Sequence, residues 1–191
     1  LGVRKIRLTG GEPLVRNNIL SLAQRLGRLP GLDELVLTTN GSQLPRLAQP
    51  LRDAGVRRLN ISIDSLQARK FRRLTRYGNV DQVIAGIDAA RDAGFERIKL
   101  NSVIMRGRND DEVPALVAFA RDRGLDIAFI EEMPLGRIVE HDRELSLCTS
   151  DELRTMIAQR HTLTPLGDPA GSDGPARYYQ LDQGPTRVGF I

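Results

Sequence analysis

Residues with ligand-binding chemistry follow the first strand-like run of this chain. Residues 9–13 read Thr-Gly-Gly-Glu-Pro directly after residues 4–8, which have the pattern of a β-strand. Glycines let the backbone approach a ligand closely, and the carboxylate of Glu12 adds one charge. Because parallel-sheet proteins bind ligands at the carboxyl ends of their strands, this segment predicts the start of a binding site. The alternative interpretation is a helix start, at which Glu12 only complements the helix dipole.

Polar side chains recur at every second position of the strand-like runs. Successive side chains of a strand point to opposite faces of the sheet, so we expect one apolar face and one polar face. Unpaired buried cations would cost several kcal/mol each, so an anionic ligand is expected to fill the polar face. The alternative is an open sheet with one solvated face, which is rare for parallel strands. The polar positions are Lys5, Arg7, Thr38, Asn40, Asn60, Ser62, Lys99 and Asn101.

The elements that must position these residues alternate between strands and helices. Strands are expected near residues 3–8, 34–38, 57–63, 97–104 and 126–131, and helices near residues 17–28, 43–54, 67–74, 80–93 and 110–123. Such a succession of β-α units requires a parallel sheet with right-handed crossovers, and five of them suggest an open or closed barrel. After these units, residues 177–181 and 186–191 predict a β-hairpin appended to the array.

Cap and turn residues support this order of elements. Gly55, Gly94 and Gly124 stand where three of the helices should end. Asn109 and Glu112 have the spacing of a capping box at the start of the last predicted helix. Residues 166–174 are rich in glycine, proline and aspartate and predict a mobile loop.

Composition excludes several classes of protein. The chain has 191 residues, of which 40% are hydrophobic and 27% charged, as is typical of a soluble globular domain. No apolar stretch reaches the roughly 18 residues of a membrane span, so a cytoplasmic protein without membrane contact is expected. The net charge of +4 comes from arginines interleaved with acids, which argues against nucleic-acid binding. The single cysteine, Cys148, predicts a free thiol and no disulfide framework.

Both ends of the chain lie close to predicted strands. The sequence starts at Leu1 rather than methionine, and it stops inside an apolar run. We therefore expect it to be the middle part of a longer protein.

Five segments at predicted strand ends carry a family resemblance. They are residues 9–13, 38–41, 60–66, 99–112 and 129–136, which follow one another in this order over essentially the whole chain. Together they resemble the GTP 3′,8-cyclases, the molybdenum cofactor biosynthesis protein A family of radical S-adenosylmethionine (radical SAM) enzymes. The resemblance implies an α/β fold: a partial (β/α) TIM-like barrel of parallel strands, truncated at both ends, with a C-terminal β-hairpin. It also implies a barrel core in residues 1–145 and a helix-and-hairpin extension in residues 146–191.

The resemblance implies a function for the intact protein. The family are lyases that convert GTP to (8S)-3′,8-cyclo-7,8-dihydroguanosine 5′-triphosphate with a radical derived from S-adenosylmethionine. Their cofactors are S-adenosylmethionine and two 4Fe-4S clusters, each held by three cysteines that are absent from this chain. No metal ligand and no catalytic residue is therefore assigned here, and the chain alone should be inactive. The product would pass to a downstream cyclic pyranopterin monophosphate synthase, and a homodimer is a further possibility.

The same resemblance assigns binding residues. The S-adenosylmethionine contacts match Gly10, Gly11, Glu12, Ser62 and Met133. The GTP contacts match Arg7, Thr38 and Lys99, and Lys5 is expected near the same phosphates. The chain departs from the family pattern at Ala128, where arginine is usual, and at Glu132, where an aromatic residue is more common. The alternatives are another radical SAM enzyme and a noncatalytic nucleotide- or phosphate-binding barrel.

Overall fold

A computed structural model describes residues 2–133, 143–167 and 176–191 of the chain. Strands and helices alternate, and the first five strands lie within three residues of the predicted bounds. The strands are β1 Lys5–Leu8, β2 Glu34–Thr39, β3 Arg58–Ser62, β4 Arg97–Val103, β5 Asp126–Ile130, β6 Leu163–Pro165, β7 Arg177–Leu181 and β8 Arg187–Phe190. The α-helices are α1 Ile19–Gly27, α2 Leu44–Asp53, α3 Ala68–Thr75, α4 Val80–Asp92, α5 Val113–Asp122, α6 Arg143–Ser146 and α7 Ser150–Ala158; two 3-10 helices span Pro13–Val15 and Asp110–Glu112.

The chain forms two compact units. The first unit comprises Leu1–Ile63 and Gly78–Lys99. Its strands lie in the order β1-β2-β3-β4, of which β4 contributes its first three residues, and β1, β2 and β3 run parallel. The helices α2 and α4 pack closely, because Gly86 carries no side chain. A Cβ atom on Gly86 would lie 2.3 Å from the carbonyl oxygen of Gly41.

The strands of the first unit have the expected alternation. One parity of β2 and β3 is apolar and buried: Leu35, Leu37, Leu59 and Ile61. The other parity carries the predicted polar residues, and the parallel register aligns them across strands. Thr38 lies opposite Asn60, and Lys5 lies opposite Glu34.

The second unit comprises Asp64–Tyr77 and Leu100–Ile191. Its strands lie in the order β4-β5-β8-β7-β6. The predicted hairpin is present as the antiparallel pair β7 and β8, and β8 also runs parallel to β5. Sequence reasoning missed β6, which pairs antiparallel with β7, because its three residues end in Pro165 and give too short a pattern. The predicted division at residue 145 stays a prediction.

The helix-end predictions have mixed outcomes. Gly55, Gly94 and Gly124 have positive φ angles of 95°, 72° and 65° just after α2, α4 and α5, as a helix C-terminus requires. The capping box predicted at Asn109 and Glu112 is wrong. Asn109 makes no side-chain cap hydrogen bond, because both side chains are used in contacts with other loops.

Three sequence interpretations fall partly outside the described residues. These are residues 168–174 of the predicted mobile loop, residues 134–136 of the last family segment, and residues 134–142 of the predicted barrel core. Within the parts of the chain that the structure describes, no helix is both long and apolar enough to cross a membrane.

Candidate functional site

An ion triad occupies the amino-terminal end of the polar face in the first unit. The Nζ atom of Lys5 lies 2.7 Å from Oε2 of Glu34, and a guanidinium nitrogen of Arg58 lies 2.8 Å from Oε1 of the same carboxylate. Partial burial would raise the pKa of Glu34, but hydrogen bonds from Lys5 and Arg58 and their charges outweigh it and lower the pKa below its ordinary value. Lys5 is therefore partly neutralised by the protein itself.

Sequence reasoning missed Glu34 and Arg58. Both have the parity of the predicted polar positions: Glu34 stands four residues before Thr38, and Arg58 two before Asn60. Applying the alternation rule over the whole length of β2 and β3 would have identified them. Arg7, on the same face of β1, lies opposite Val36 and is exposed.

The middle of the polar face holds polar atoms that the protein does not satisfy. Thr38 and Asn60 are opposite each other in the register of β2 and β3. Among the described residues, neither Oγ1 of Thr38 nor Oδ1 or Nδ2 of Asn60 has a hydrogen-bond partner, although all three atoms are buried. Asn60 is only 1% exposed. Buried side-chain polar atoms are usually hydrogen-bonded, so this pair is an exception that a ligand would explain.

The other predicted residues of the first unit differ in burial. Lys99 is 5% exposed, which is unusual for a lysine, and it lies at a polar-parity position of β4. Ser62, at the carboxyl end of β3, is exposed. Register thus brings Lys5, Arg7 and Thr38 to one face, as predicted from their parity.

The glycine segment after β1 has open space around it. A Cβ atom built on Gly10 or Gly11 would meet no other atom within 4 Å, and Gly10 has a φ angle of +146°. Gly11 has neither a positive φ angle nor a crowded environment, so nothing in the protein itself requires glycine at that position. Close approach of a ligand to the backbone of Gly11 is one physical reason for a glycine there.

The carboxylate of Glu12 is already engaged by the protein. Its Oε1 accepts hydrogen bonds from the Leu14 amide at 2.9 Å and the Thr39 hydroxyl at 2.7 Å, and its Oε2 accepts one from the Asn40 amide at 2.6 Å. Glu12 also caps the 3-10 helix that follows, which is the helix-start interpretation. The carboxylate therefore fastens the glycine segment to the end of β2, and its role toward S-adenosylmethionine stays a prediction.

Met133 belongs to the second unit, where its side chain is 57% exposed. The two residues before it are used structurally. Oε1 of Glu131 accepts a hydrogen bond from the Ser150 amide at the start of α7, and Oε2 of Glu132 accepts one from the Ser146 hydroxyl at 2.9 Å. Ala128 is fully buried on β5 opposite Gly189 of β8. The departures at Ala128 and Glu132 therefore fit local packing.

A second polar cluster lies in the second unit and is hydrogen-bonded throughout. Asn109 accepts from the Met105 amide and donates to the carbonyls of Asp64 and Val103. Glu112 accepts from the Ser65 hydroxyl at 2.7 Å and the Leu66 amide at 2.9 Å. We call these residues, with Lys70 and Asp111, the Asn109–Glu112 network. It joins the loop after β3 to the loop after β4.

The chain has too few cysteines to hold an iron-sulfur cluster by itself. Its single cysteine, Cys148, is buried, and burial first, then the charge of Glu152, raises the pKa of the thiol. A 4Fe-4S cluster held by three cysteines does not fit one buried thiol. Over residues 2–133, 143–167 and 176–191, no group of three or more His, Cys, Asp and Glu side chains could hold a metal ion.

Comparison with protein families identifies the superfamily. Residues 1–120 match the family model described as the Radical SAM superfamily. The chain belongs to the radical SAM superfamily. The fold agrees: this radical SAM chain matches the structure of coproporphyrinogen III oxidase from Escherichia coli with a TM-score of 0.64 at 16% identity, covering 99% of this chain and 51% of that one. The α/β fold of partial-barrel type is thereby confirmed.

Curated relatives of this radical SAM chain are more similar. It is 63% identical over 191 residues to a protein named GTP 3′,8-cyclase from Ectopseudomonas mendocina, and 64% identical over 192 residues to one of the same name from Pseudomonas putida. Each alignment covers 100% of this chain and 57% of the relative. The chain thus spans somewhat more than half the length of these curated relatives.

Proposed function

We propose that this chain is the central part of a GTP 3′,8-cyclase, which converts GTP to (8S)-3′,8-cyclo-7,8-dihydroguanosine 5′-triphosphate in molybdenum cofactor biosynthesis. The observation that carries the proposal is the identity of 63% over the whole chain to a protein of that name. The polar face of the first unit supports it independently, because the cations Lys5, Arg7 and Lys99 at its polar positions and the unsatisfied Thr38 and Asn60 suit a phosphorylated nucleoside.

In this proposal the chain binds and orients the nucleotides. Arg7 and Lys99, with Lys5, contribute positive charge for the triphosphate, and arginine can bind two phosphate oxygens at once. Gly10 and Gly11 let the backbone approach S-adenosylmethionine, and Ser62 and Met133 contact its other parts. No residue of the chain is needed as a general base or nucleophile.

The cofactors of the intact enzyme would be S-adenosylmethionine and two 4Fe-4S clusters whose cysteines are supplied by segments other than this one. When bound, they supply the hydrogen-abstracting radical chemistry, whereas the protein supplies position and shielding from water. We further propose that the full-length protein is cytoplasmic, that it can form a homodimer, and that its product passes to cyclic pyranopterin monophosphate synthase.

Two other functions remain to be separated from this one. A different radical SAM enzyme would share the glycine segment but need not bind GTP. A noncatalytic barrel would bind a nucleotide or phosphate without cleaving S-adenosylmethionine. One assay of the reaction products distinguishes both alternatives from a cyclase.

The test uses the full-length protein with its clusters reconstituted under anaerobic conditions. The protein is incubated with GTP, S-adenosylmethionine and a reductant, and the nucleotide products are analysed by mass spectrometry. We expect a product with the mass of GTP and a new bond between the sugar and base, together with 5′-deoxyadenosine. Formation of 5′-deoxyadenosine only with a substrate other than GTP would assign another radical SAM enzyme, and absence of 5′-deoxyadenosine would assign a noncatalytic barrel.

Substrate contacts are tested by binding. Arg7→Ala and Lys99→Ala should each weaken GTP binding by about tenfold or more, as loss of a charge-assisted contact does. Arg4→Ala is the matched control, because Arg4 is exposed, lies one residue before β1 and pairs with Asp33 at 2.6 Å. Equal GTP affinity in all three variants would contradict the assignment of the polar face to GTP.

A further inference from the structure

Asn60 has a buried environment that the proposed contacts do not explain. Its amide is 1% exposed, and its oxygen and nitrogen have no partner among the described residues. The hydroxyl of Thr38, opposite it in register, is in the same condition. Leaving a buried polar group without a hydrogen bond is costly, so two such side chains side by side predict that a ligand supplies the missing partners.

The side-chain amide of Asn60 restricts which ligand groups can hydrogen-bond to it. Nδ2 of Asn60 can only donate hydrogen bonds, whereas Oδ1 can only accept them. An ionised phosphate can satisfy the nitrogen but has no hydrogen to give to the oxygen. A single group that satisfies both atoms of the Asn60 amide must both donate and accept, as a sugar hydroxyl does.

The lengths of the side chains agree with this division. The cations of the polar face, Lys5, Arg7 and Lys99, are long and flexible, and their charges suit phosphates at a distance from the strands. Thr38 and Asn60 are short, so they reach only a group that lies directly against the sheet.

We propose that Asn60, with Thr38, binds the ribose hydroxyls of a nucleoside. This inference rests on the proposed function, which gives two ribose-containing ligands, GTP and S-adenosylmethionine. Asn60 is then a binding residue that distinguishes ribose from deoxyribose. The two sources of the ribose are separated by experiment.

The experiment is calorimetric titration of the full-length, cluster-loaded protein with GTP and, separately, with S-adenosylhomocysteine. Asn60→Leu should weaken the binding of one of these ligands about tenfold and leave the other unchanged, and Thr38→Val should weaken the same ligand several-fold. The affected ligand identifies the source of the ribose. Its 2′- and 3′-deoxy forms are titrated as well, and at least one of them should bind Asn60→Leu and the unmodified protein equally.

A matched control comes from the second unit. Thr186 is 1% exposed, and its hydroxyl likewise has no partner in the described part of the chain. Thr186→Val removes the same kind of buried hydroxyl from the other unit, and it should leave both affinities unchanged. Thermal unfolding separates binding from folding. Asn60→Leu and Thr38→Val should unfold at the same or a higher temperature than the unmodified protein, because no internal hydrogen bond is lost.

Three results would overturn the inference. The first is an Asn60→Leu protein that binds both ligands as tightly as the unmodified protein does. The second is a loss of affinity that is the same for the affected ligand and for both of its deoxy forms, since the amide would then contact a part of the ligand other than the ribose hydroxyls. The third is a lower unfolding temperature in Asn60→Leu, which would make the amide a structural group. Failure of the proposed function is distinguishable, because it would show in the unmodified protein, which would then lack binding of GTP if it is another radical SAM enzyme, or of S-adenosylhomocysteine if it is a noncatalytic barrel.

Discussion

Two buried asparagines differ in the hydrogen bonding of their side chains. Asn109, in the second unit, is fully buried, and its side chain makes three hydrogen bonds to the backbone. Asn60, in the first unit, is buried to the same degree and makes none among the described residues. The same side chain therefore completes the protein's own hydrogen bonding at one position and leaves it incomplete at the other.

This difference in hydrogen bonding indicates a structural role for Asn109 and a binding role for Asn60. A polar network with every partner present stabilises one conformation, as the Asn109–Glu112 network does for two loops. A buried polar group without partners breaks a rule that natural proteins otherwise follow, and such exceptions are expected at functional sites.

The largest effect is expected from Glu112→Ala. Glu112 is 2% exposed, and the substitution leaves the Leu66 amide without its acceptor and the Ser65 hydroxyl with only the Gln67 carbonyl at 3.3 Å. We expect the free energy of unfolding to fall by about 4 kcal/mol. Urea denaturation of the full-length protein measures it. Glu112→Gln is the control, since it keeps one acceptor oxygen and should lose less; equal losses would show that volume rather than hydrogen bonding matters.

Leucine in place of each asparagine should have effects of opposite sign. Asn109→Leu removes three hydrogen bonds and should lower the free energy of unfolding by about 3 kcal/mol. Asn60→Leu removes none and should leave it unchanged or raise it by about 1 kcal/mol. The comparison would fail if both variants were destabilised to the same extent in urea denaturation.

Two carboxylates should give opposite pH dependences. Glu34 has a pKa below its ordinary 4.5 in the folded protein, so its stabilising contribution is complete above pH 4.5 and is lost as the pH falls through the folded pKa. Burial raises the pKa of Asp64 above its ordinary 3.8, against a hydrogen bond from the Val103 amide. Because the folded protein then binds the proton more tightly than the unfolded chain, Asp64 lowers stability as the pH rises from 3.8 through its folded pKa.

The variants for this prediction are Glu34→Gln and Asp64→Asn. Glu34→Gln should reduce the loss of stability in acid. Asp64→Asn keeps an oxygen for the Val103 amide and should raise stability at neutral pH. Urea midpoints between about pH 3 and neutral pH measure both. Parallel pH profiles for the two variants would contradict the assigned pKa directions.

The smallest effect is expected at the edge of the network. Lys70 lies 2.6 Å from Asp111, whose side chain is 66% exposed, and 3.6 Å from Glu112. Solvent screens such a pair, so Lys70→Met should change stability less than the substitutions above, and added salt should abolish the difference. A loss as large as that of Glu112→Ala would mean that the lysine, rather than the hydrogen bonds, holds the network.

The fold could be predicted closely because its signals are local. The alternation of apolar and polar residues in β2 and β3 determines which side chains share a face, and Gly55, Gly94 and Gly124 mark where helices end. Both rules depend on backbone geometry alone. The segment β6 escaped prediction because three residues ending in Pro165 carry too little pattern, and it forms only through its pairing with β7.

The site could be predicted only in part. Parity indicated that Lys5, Arg7 and Thr38 share a face, but it did not show that Glu34 neutralises Lys5, since the pairing joins different strands. Asn109 and Glu112 have the spacing of a helix cap, yet each binds a loop more than forty residues away in sequence, about which local spacing says nothing. That Asn60 lacks partners is a property of the folded chain and has no sequence signal.

The three hydrogen bonds of Glu12 bear on how the glycine segment meets a ligand. Glycines normally make a loop flexible, and a flexible loop loses conformational entropy when a ligand binds. Here the carboxylate next to Gly11 holds that loop against the end of β2 beforehand. The entropy cost of ordering the loop is therefore met during folding. An incoming ligand meets a segment that is open and already held in place.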